Sequence, residues 1–177
     1  ITAADGGHVV LMGRSVSNDG VIAARLGTVA LAAGEAVTMD VGGDGLLNVA
    51  VSTGAVNALA QNGGMIRADG GRVLLTAQAA GQLLNTVVNN TGTIQAQTID
   101  QRNGTILLLG DMQSGAVNVG GTLDASAPQG GDGGFIETSA ARVNVSNAAR
   151  VTTMAGPGST GTRLIDPHDF TIGSAPG

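Results

Sequence analysis

Short apolar runs with a period of two recur along the chain, and glycine or asparagine closes each of them. In Val9-Val10-Leu11 and Val73-Leu74-Leu75, the residues Val9 and Leu11, or Val73 and Leu75, share one face of a strand. His8, Val10, Arg72 and Leu74 take the other face. No window of eleven or more residues combines a 3.6-residue period with a cap at its start, so essentially no α-helix is predicted.

The runs belong to a repeat. Its first station is an aliphatic residue, a spacer and a small residue: Ile1-Thr2-Ala3, Ile22-Ala23-Ala24, Ile66-Arg67-Ala68, Ile94-Gln95-Ala96, Leu123-Asp124-Ala125 and Val151-Thr152-Thr153. A glycine and a second strand follow, starting at Gly7, Gly27, Gly71, Gly104 and Gly134. Val16, Val37-Thr38-Met39, Val117-Asn118-Val119 and Val143-Asn144-Val145 supply a third station. Polar turns such as Asn18-Asp19-Gly20, Asn62-Gly63-Gly64 and Asn90-Thr91-Gly92 lead on, and these residue types tolerate positive φ. The first stations lie 21, 44, 28, 29 and 28 positions apart, and the long gap fits two units if Leu47-Asn48-Val49 supplies a hidden one.

Three short strands per unit, joined by tight corners, predict an all-β fold: a right-handed parallel β-helix of about seven coils. At roughly 4.8 Å per coil the rod would be about 30 to 35 Å long, with open ends exposing unpaired strand edges. Both ends of the sequence cut into apolar runs, at Ile1 and at residues 170–172. Residues 1–177 are therefore expected to form one segment of a longer chain, with 156–177 as an irregular corner and the start of the next coil or region.

Composition narrows the picture. There are 30 glycines, 42% hydrophobic residues, 1% aromatics and no cysteine. A core without large aromatic side chains has to be thin. Disulfides, thiolate metal sites and a cysteine nucleophile are excluded. The net charge of −5 is spread thinly and includes no basic stripe, which disfavours nucleic acid. No apolar stretch is long enough to span a bilayer as a helix, and no signal peptide opens the chain.

Candidate chemistry is sparse. Asp166, His168 and Asp169 surround Pro167 and could hold a metal or exchange a proton, yet Asp-Pro is first a turn former. His8 reads as a solvated outward imidazole. Gly130-Gly131-Asp132-Gly133-Gly134 and Gly42-Gly43-Asp44-Gly45 resemble pieces of a calcium-binding nonapeptide, but neither has its register, so both are expected to be corner loops. Asn89, Asn103 and Asn144 head Asn-x-Ser/Thr sequons. Leu74, Leu107 and Leu109 project outward and are expected as single exposed aliphatics or as contacts for a long loop or a neighbouring rod. Glu35 and Glu137 are the only glutamates, and no ladder of carboxylates accompanies them.

Two segments are more specific. Gly133-Gly134-Phe135-Ile136-Glu137-Thr138-Ser139 precedes Val143-Asn144-Val145, and Arg163-Leu164-Ile165-Asp166-Pro167-His168-Asp169-Phe170-Thr171-Ile172 follows. In that order they resemble the filamentous haemagglutinin-like exoproteins of two-partner secretion systems, closely over residues 133–172 and loosely over the whole chain. Arg163 stands where that family has a tryptophan. The Asn-Pro-Asn-Gly-type motif of the family's N-terminal secretion domain is missing, so that domain and its outer-membrane transporter partner are expected to lie outside this segment. The resemblance implies a secreted or surface-anchored rod of a Gram-negative bacterium. Its role would be adhesion to a surface receptor or glycan, in host or biofilm attachment, with no catalysis, cofactor or metal. A self-assembling filament subunit and a β-helix polysaccharide lyase or glycosidase are the alternatives.

Overall fold

The computed structural model describes residues 1–81 and 85–168, and all of its regular structure is strand. Within them the first coil contains β1 (His8–Gly13), β2 (Ser15–Asn18) and β3 (Val21–Ala23). A second coil opens with β4 (Thr28–Ala33), departs through β5 (Ala36–Val41) and β6 (Leu47–Thr53), and resumes with β7 (Leu59–Asn62) and β8 (Met65–Arg67). Three regular passes follow. These are β9 (Arg72–Ala77), β10 (Val87–Asn90) and β11 (Thr93–Gln95); β12 (Thr105–Leu109), β13 (Ala116–Val119) and β14 (Thr122–Asp124); and β15 (Phe135–Ala140), β16 (Arg142–Val145) and β17 (Arg150–Thr152). β18 (Thr162–Pro167) begins another coil.

Every strand of a coil pairs in parallel with its counterpart one coil away, giving three sheets in the orders β1-β4-β9-β12-β15-β18, β2-β7-β10-β13-β16 and β3-β8-β11-β14-β17. This is a parallel β-helix. The repeat seen in the sequence is the stacking register itself: Ile22, Ile66, Ile94, Leu123 and Val151 are successive partners. Val9, Val29, Val73, Ile106 and Ile136 form a second ladder, and Leu11, Leu31, Leu75 and Leu108 a third. Together with Val16, Ala60, Val88 and Val117 they fill one continuous aliphatic core.

The hidden unit is not a coil. Val37-Thr38-Met39 and Leu47-Asn48-Val49 lie in the two arms of an antiparallel hairpin, β5 with β6, so the stack holds six first-sheet strands among the described residues and is one coil shorter than expected. Its tip is built from Gly42-Gly43-Asp44-Gly45. There the Leu46 N–H donates to the Asp44 carboxylate at 2.9 Å, and Gly45 takes a φ of 77°.

Glycine serves the corners differently from the expectation as well. Gly64, Gly92 and Gly121 have ordinary φ, but a Cβ on each would lie 2.1, 2.0 and 2.0 Å from the carbonyl oxygen of the glycine one coil earlier. Close approach of stacked backbones demands glycine there, and left-handed backbone does not. The asparagines of the same corner point inward. Asn18, Asn62 and Asn90 are buried, and the side-chain amide of Asn18 donates to Asn62 Oδ1, and that of Asn62 to Asn90 Oδ1, each at 2.8 Å. Each amide also donates to the carbonyl of the glycine two residues on, which satisfies polar groups that would be costly to bury alone.

Candidate functional site

The outward faces of the three sheets carry the side chains left over from the core, and they differ. On the first sheet the hairpin lies over the rod. Ala30, Ala32, Val49 and Leu74 form a second buried apolar cluster with Val10, Val37, Leu47, Val51, Leu107 and Leu109 packed against it. Leu74 is thus buried under the long insertion, with Leu107 and Leu109 packed against the same cluster, so the three are not scattered exposed residues. The hairpin is pinned along its length by the Leu47 N–H donating to Thr28 Oγ1 at 3.0 Å. An Arg14–Glu35 ion pair at 2.9 Å holds the base, and Arg72 meets Asp44 at 3.6 Å near the tip.

The second sheet presents a row of amides. Gln61, Asn89, Asn118 and Asn144 are successive register partners, and Asn144 donates to Asn118 Oδ1 at 2.9 Å. Two sequon asparagines therefore sit in this row. Asn89 is half-buried and Asn144 exposed, while the third, Asn103, is exposed at a separate corner.

At the corner after the third sheet the polar groups converge. Arg25, Asp69, Gln97 and Ser126 each lie three residues beyond a first station, so the stacking brings them into line. Asp69 accepts from the Gln95 side chain at 2.9 Å and from the Gln97 N–H at 2.9 Å. Gln97 reaches the other way to Asp124 at 2.8 Å, and Asp124 accepts the Ser126 N–H. Arg25 pairs with Asp5, and Arg67 Nε stands 3.9 Å from Asp69. Pro128 and Gln129 join Arg25, Arg67, Asp69 and Gln97 in lining an open groove of about 280 Å³. Aligning the repeats at the position three after each first station would have revealed this row; inspecting each motif singly does not.

The residues singled out earlier are scattered. Asp166 is exposed within β18, in register with Ser139, so it lies in a strand rather than at a turn. The His168 N–H donates to the Ala140 carbonyl at 3.1 Å, and Asp169 and residues 170–172 lie outside the described residues. His8 is half-buried, and its Nδ1 accepts the Thr28 N–H at 3.1 Å, which corrects the solvated imidazole. Asp132 accepts the Ser159 N–H at 2.8 Å, tying the glycine-rich corner to the next coil. Glu35 is paired with Arg14, whereas Glu137 accepts the Ser139 hydroxyl at 2.7 Å three strands away in the first sheet. Three strand spacings are on the order of 14 Å. That exceeds the separation of roughly 5 to 9.5 Å used by paired glycosidase carboxylates.

Comparison with curated proteins finds no match. The family model of the TPS secretion domain matches residues 1–125, from the start of the chain through β14. This overturns the expectation that the secretion domain lies outside the segment. The domain is wound from the same aliphatic coils as the rod, so composition and periodicity do not set it apart, and the sequence lacks the Asn-Pro-Asn-Gly segment used to look for it. With most of its length covered by that match, and with the coils in the register its repeat predicts, the chain belongs to the TPS secretion-domain family of two-partner-secretion exoproteins.

Proposed function

We propose that this exoprotein is an adhesin of the Gram-negative cell exterior. In this reading residues 1–125 engage an outer-membrane transporter during export, and the coils then serve as a stalk that carries or forms adhesive surface. The observation that carries the reading is the coincidence of the secretion-domain match with the first coils of an uninterrupted core. A parallel coil offers its open edge as a template for the next, so a chain leaving a pore from one end can fold coil by coil outside the cell. No catalysis is assigned, since the two glutamates are separately engaged, Glu35 between β4 and β5 and Glu137 in β15.

The test is secretion and attachment measured together. Co-expressed with a two-partner transporter, the chain is expected in the culture medium, and without the transporter it is expected to stay in the periplasm. Cells displaying the whole exoprotein are expected to attach to abiotic or host-cell surfaces more than cells lacking it. Equal attachment by both would end the adhesive reading.

A further inference from the structure

We infer that the corner groove lined by Arg67, Asp69, Gln97 and Gln129 is a binding site for a neutral oligosaccharide lying along the axis of the rod. The inference deepens the adhesive reading, on which its biological meaning rests, by naming the chemical class of what is bound.

Along the groove Arg25, Asp69 and Gln97 follow one another at the coil spacing, about 4.8 Å, because the corner they share stacks coil on coil. A saccharide chain laid along it would meet a new donor or acceptor at every coil. Hydroxyl groups both donate and accept, and the groove offers both. Arg67 has a side chain 55% exposed, and its one ion pair is made through Nε, leaving the amino groups of its fork to donate outward. Gln97 commits its NH₂ group to Asp124, which leaves its amide oxygen as an acceptor.

The site is also held rigid. The Asp69 side chain is only 17% exposed and is fixed by a backbone N–H and a side-chain amide, so little order has to be created on binding. Charge selects against polyanions. Arg25 and Arg67 are opposed by Asp5, Asp69 and Asp124, a local sum of −1 on a chain of net −5. A base-stacking ligand lacks its platform, because no aromatic ring lines the groove. Pro128 and Ile99 supply apolar wall for the C–H faces of a sugar.

Titration of the isotopically labelled chain with manno-, gluco- and galacto-tetrasaccharides, followed by amide NMR, tests this. The expected result is saturable shifts at Arg67, Asp69, Gln97 and Gln129 with at least one neutral tetrasaccharide. Arg67→Ala and Gln97→Ala are expected to weaken binding at least tenfold. Gln129→Trp, at an exposed wall position that carries no core contact, is expected to abolish binding without changing the melting temperature, whereas Gln61→Ala on the second sheet leaves binding intact. Absence of shifts with all three sugars, shifts unaffected by Gln129→Trp, or binding only to a sulfated polyanion at low salt would overturn the inference. The adhesive reading fails separately. If cells displaying the Gln129→Trp exoprotein attach as well as wild type, the groove is not the attachment site but adhesion stands; if the wild-type chain binds sugar while the displayed exoprotein confers no attachment, the groove stands and adhesion falls.

Discussion

β4 and β18 occupy the same station of the same sheet, yet one is buried on both faces and the other is exposed along nearly its whole length. Both stand in register with the same ladders, so the stacking by itself does not distinguish them. On the outward face the difference is the hairpin that leaves the rod directly after β4 and folds back over it, covering Ala30 and Ala32. An outward position of a solenoid is solvated unless an insertion claims it. Where one does, the small residues of β4 leave room for the hairpin's valines.

At the bare end the inward ladder itself changes. Val9, Val29, Val73, Ile106 and Ile136 are followed in register by Arg163, and Leu108 by Thr138 and then Ile165. The Arg163 guanidinium stands exposed on β18. Under a further coil in the same register it would be a buried charge needing a partner.

The sharpest way to break the comparison is to put one charge beneath the hairpin and one on the bare strand. Ala32→Asp is expected to cost several kcal/mol by burying an unpaired carboxylate or forcing the hairpin off, at least as much as breaking a buried pair, about 3–5 kcal/mol. Leu164→Asp, on exposed β18, should stay within about 0.5 kcal/mol. Denaturant unfolding followed by far-UV circular dichroism would measure both, and equal effects would contradict a hairpin seated on the rod.

Cavity formation comes next. Ile94→Ala, in the middle of its ladder, is expected to lose about 2–5 kcal/mol, whereas Ile165→Ala at the exposed end should lose well under half of that. The same unfolding experiment compares them.

The asparagine corner offers a third contrast. Asn62→Ala removes the donor to Asn90 and the acceptor for Asn18, leaving buried polar groups unpaired at a cost of about 1–3 kcal/mol. The equivalent Asn144→Ala, in the exposed row, should be near neutral. Amide hydrogen exchange at Gly64 and Gly92 would show faster opening only in the first variant.

The smallest effect is expected at the hairpin tip. Arg72→Met, which keeps the apolar stem, removes the Asp44 ion pair and the bond to Asn48 and should cost about 1 kcal/mol or less, reduced further in high salt. Protection of the β5 and β6 amides is the readout, and a loss confined to the hairpin is expected.

The aliphatic ladders were legible from the chain because a stack of equal coils turns sequence spacing directly into register: Ile22, Ile66, Ile94 and Leu123 could be aligned before any coordinate was known. The hairpin was not, since its arms alternate just as coil strands do and period two carries no information about whether the partner runs parallel or antiparallel. Its tip glycines, Gly42, Gly43 and Gly45, read in the sequence as a corner. The secretion domain was missed for a related reason, being the same coils under another role. The polar groove lay in plain view as Arg25, Asp69, Gln97 and Ser126, each unremarkable until its neighbour is set one coil away.

By itself, then, the amino-acid order determined the strand-only fold, the parallel stacking and the narrow core, because these follow from local alternation and a repeat that any coil must obey. Tertiary structure alone decided what covers the outside: the hairpin over Ala30 and Ala32, the amide ladder turned inward at the asparagine corner, and the groove at Asp69. Those depend on which coil lies beside which, and on backbones approaching so closely that only Gly64, Gly92 and Gly121 fit between them. Contacts of that kind join residues 19 to 44 positions apart, beyond the reach of any local pattern.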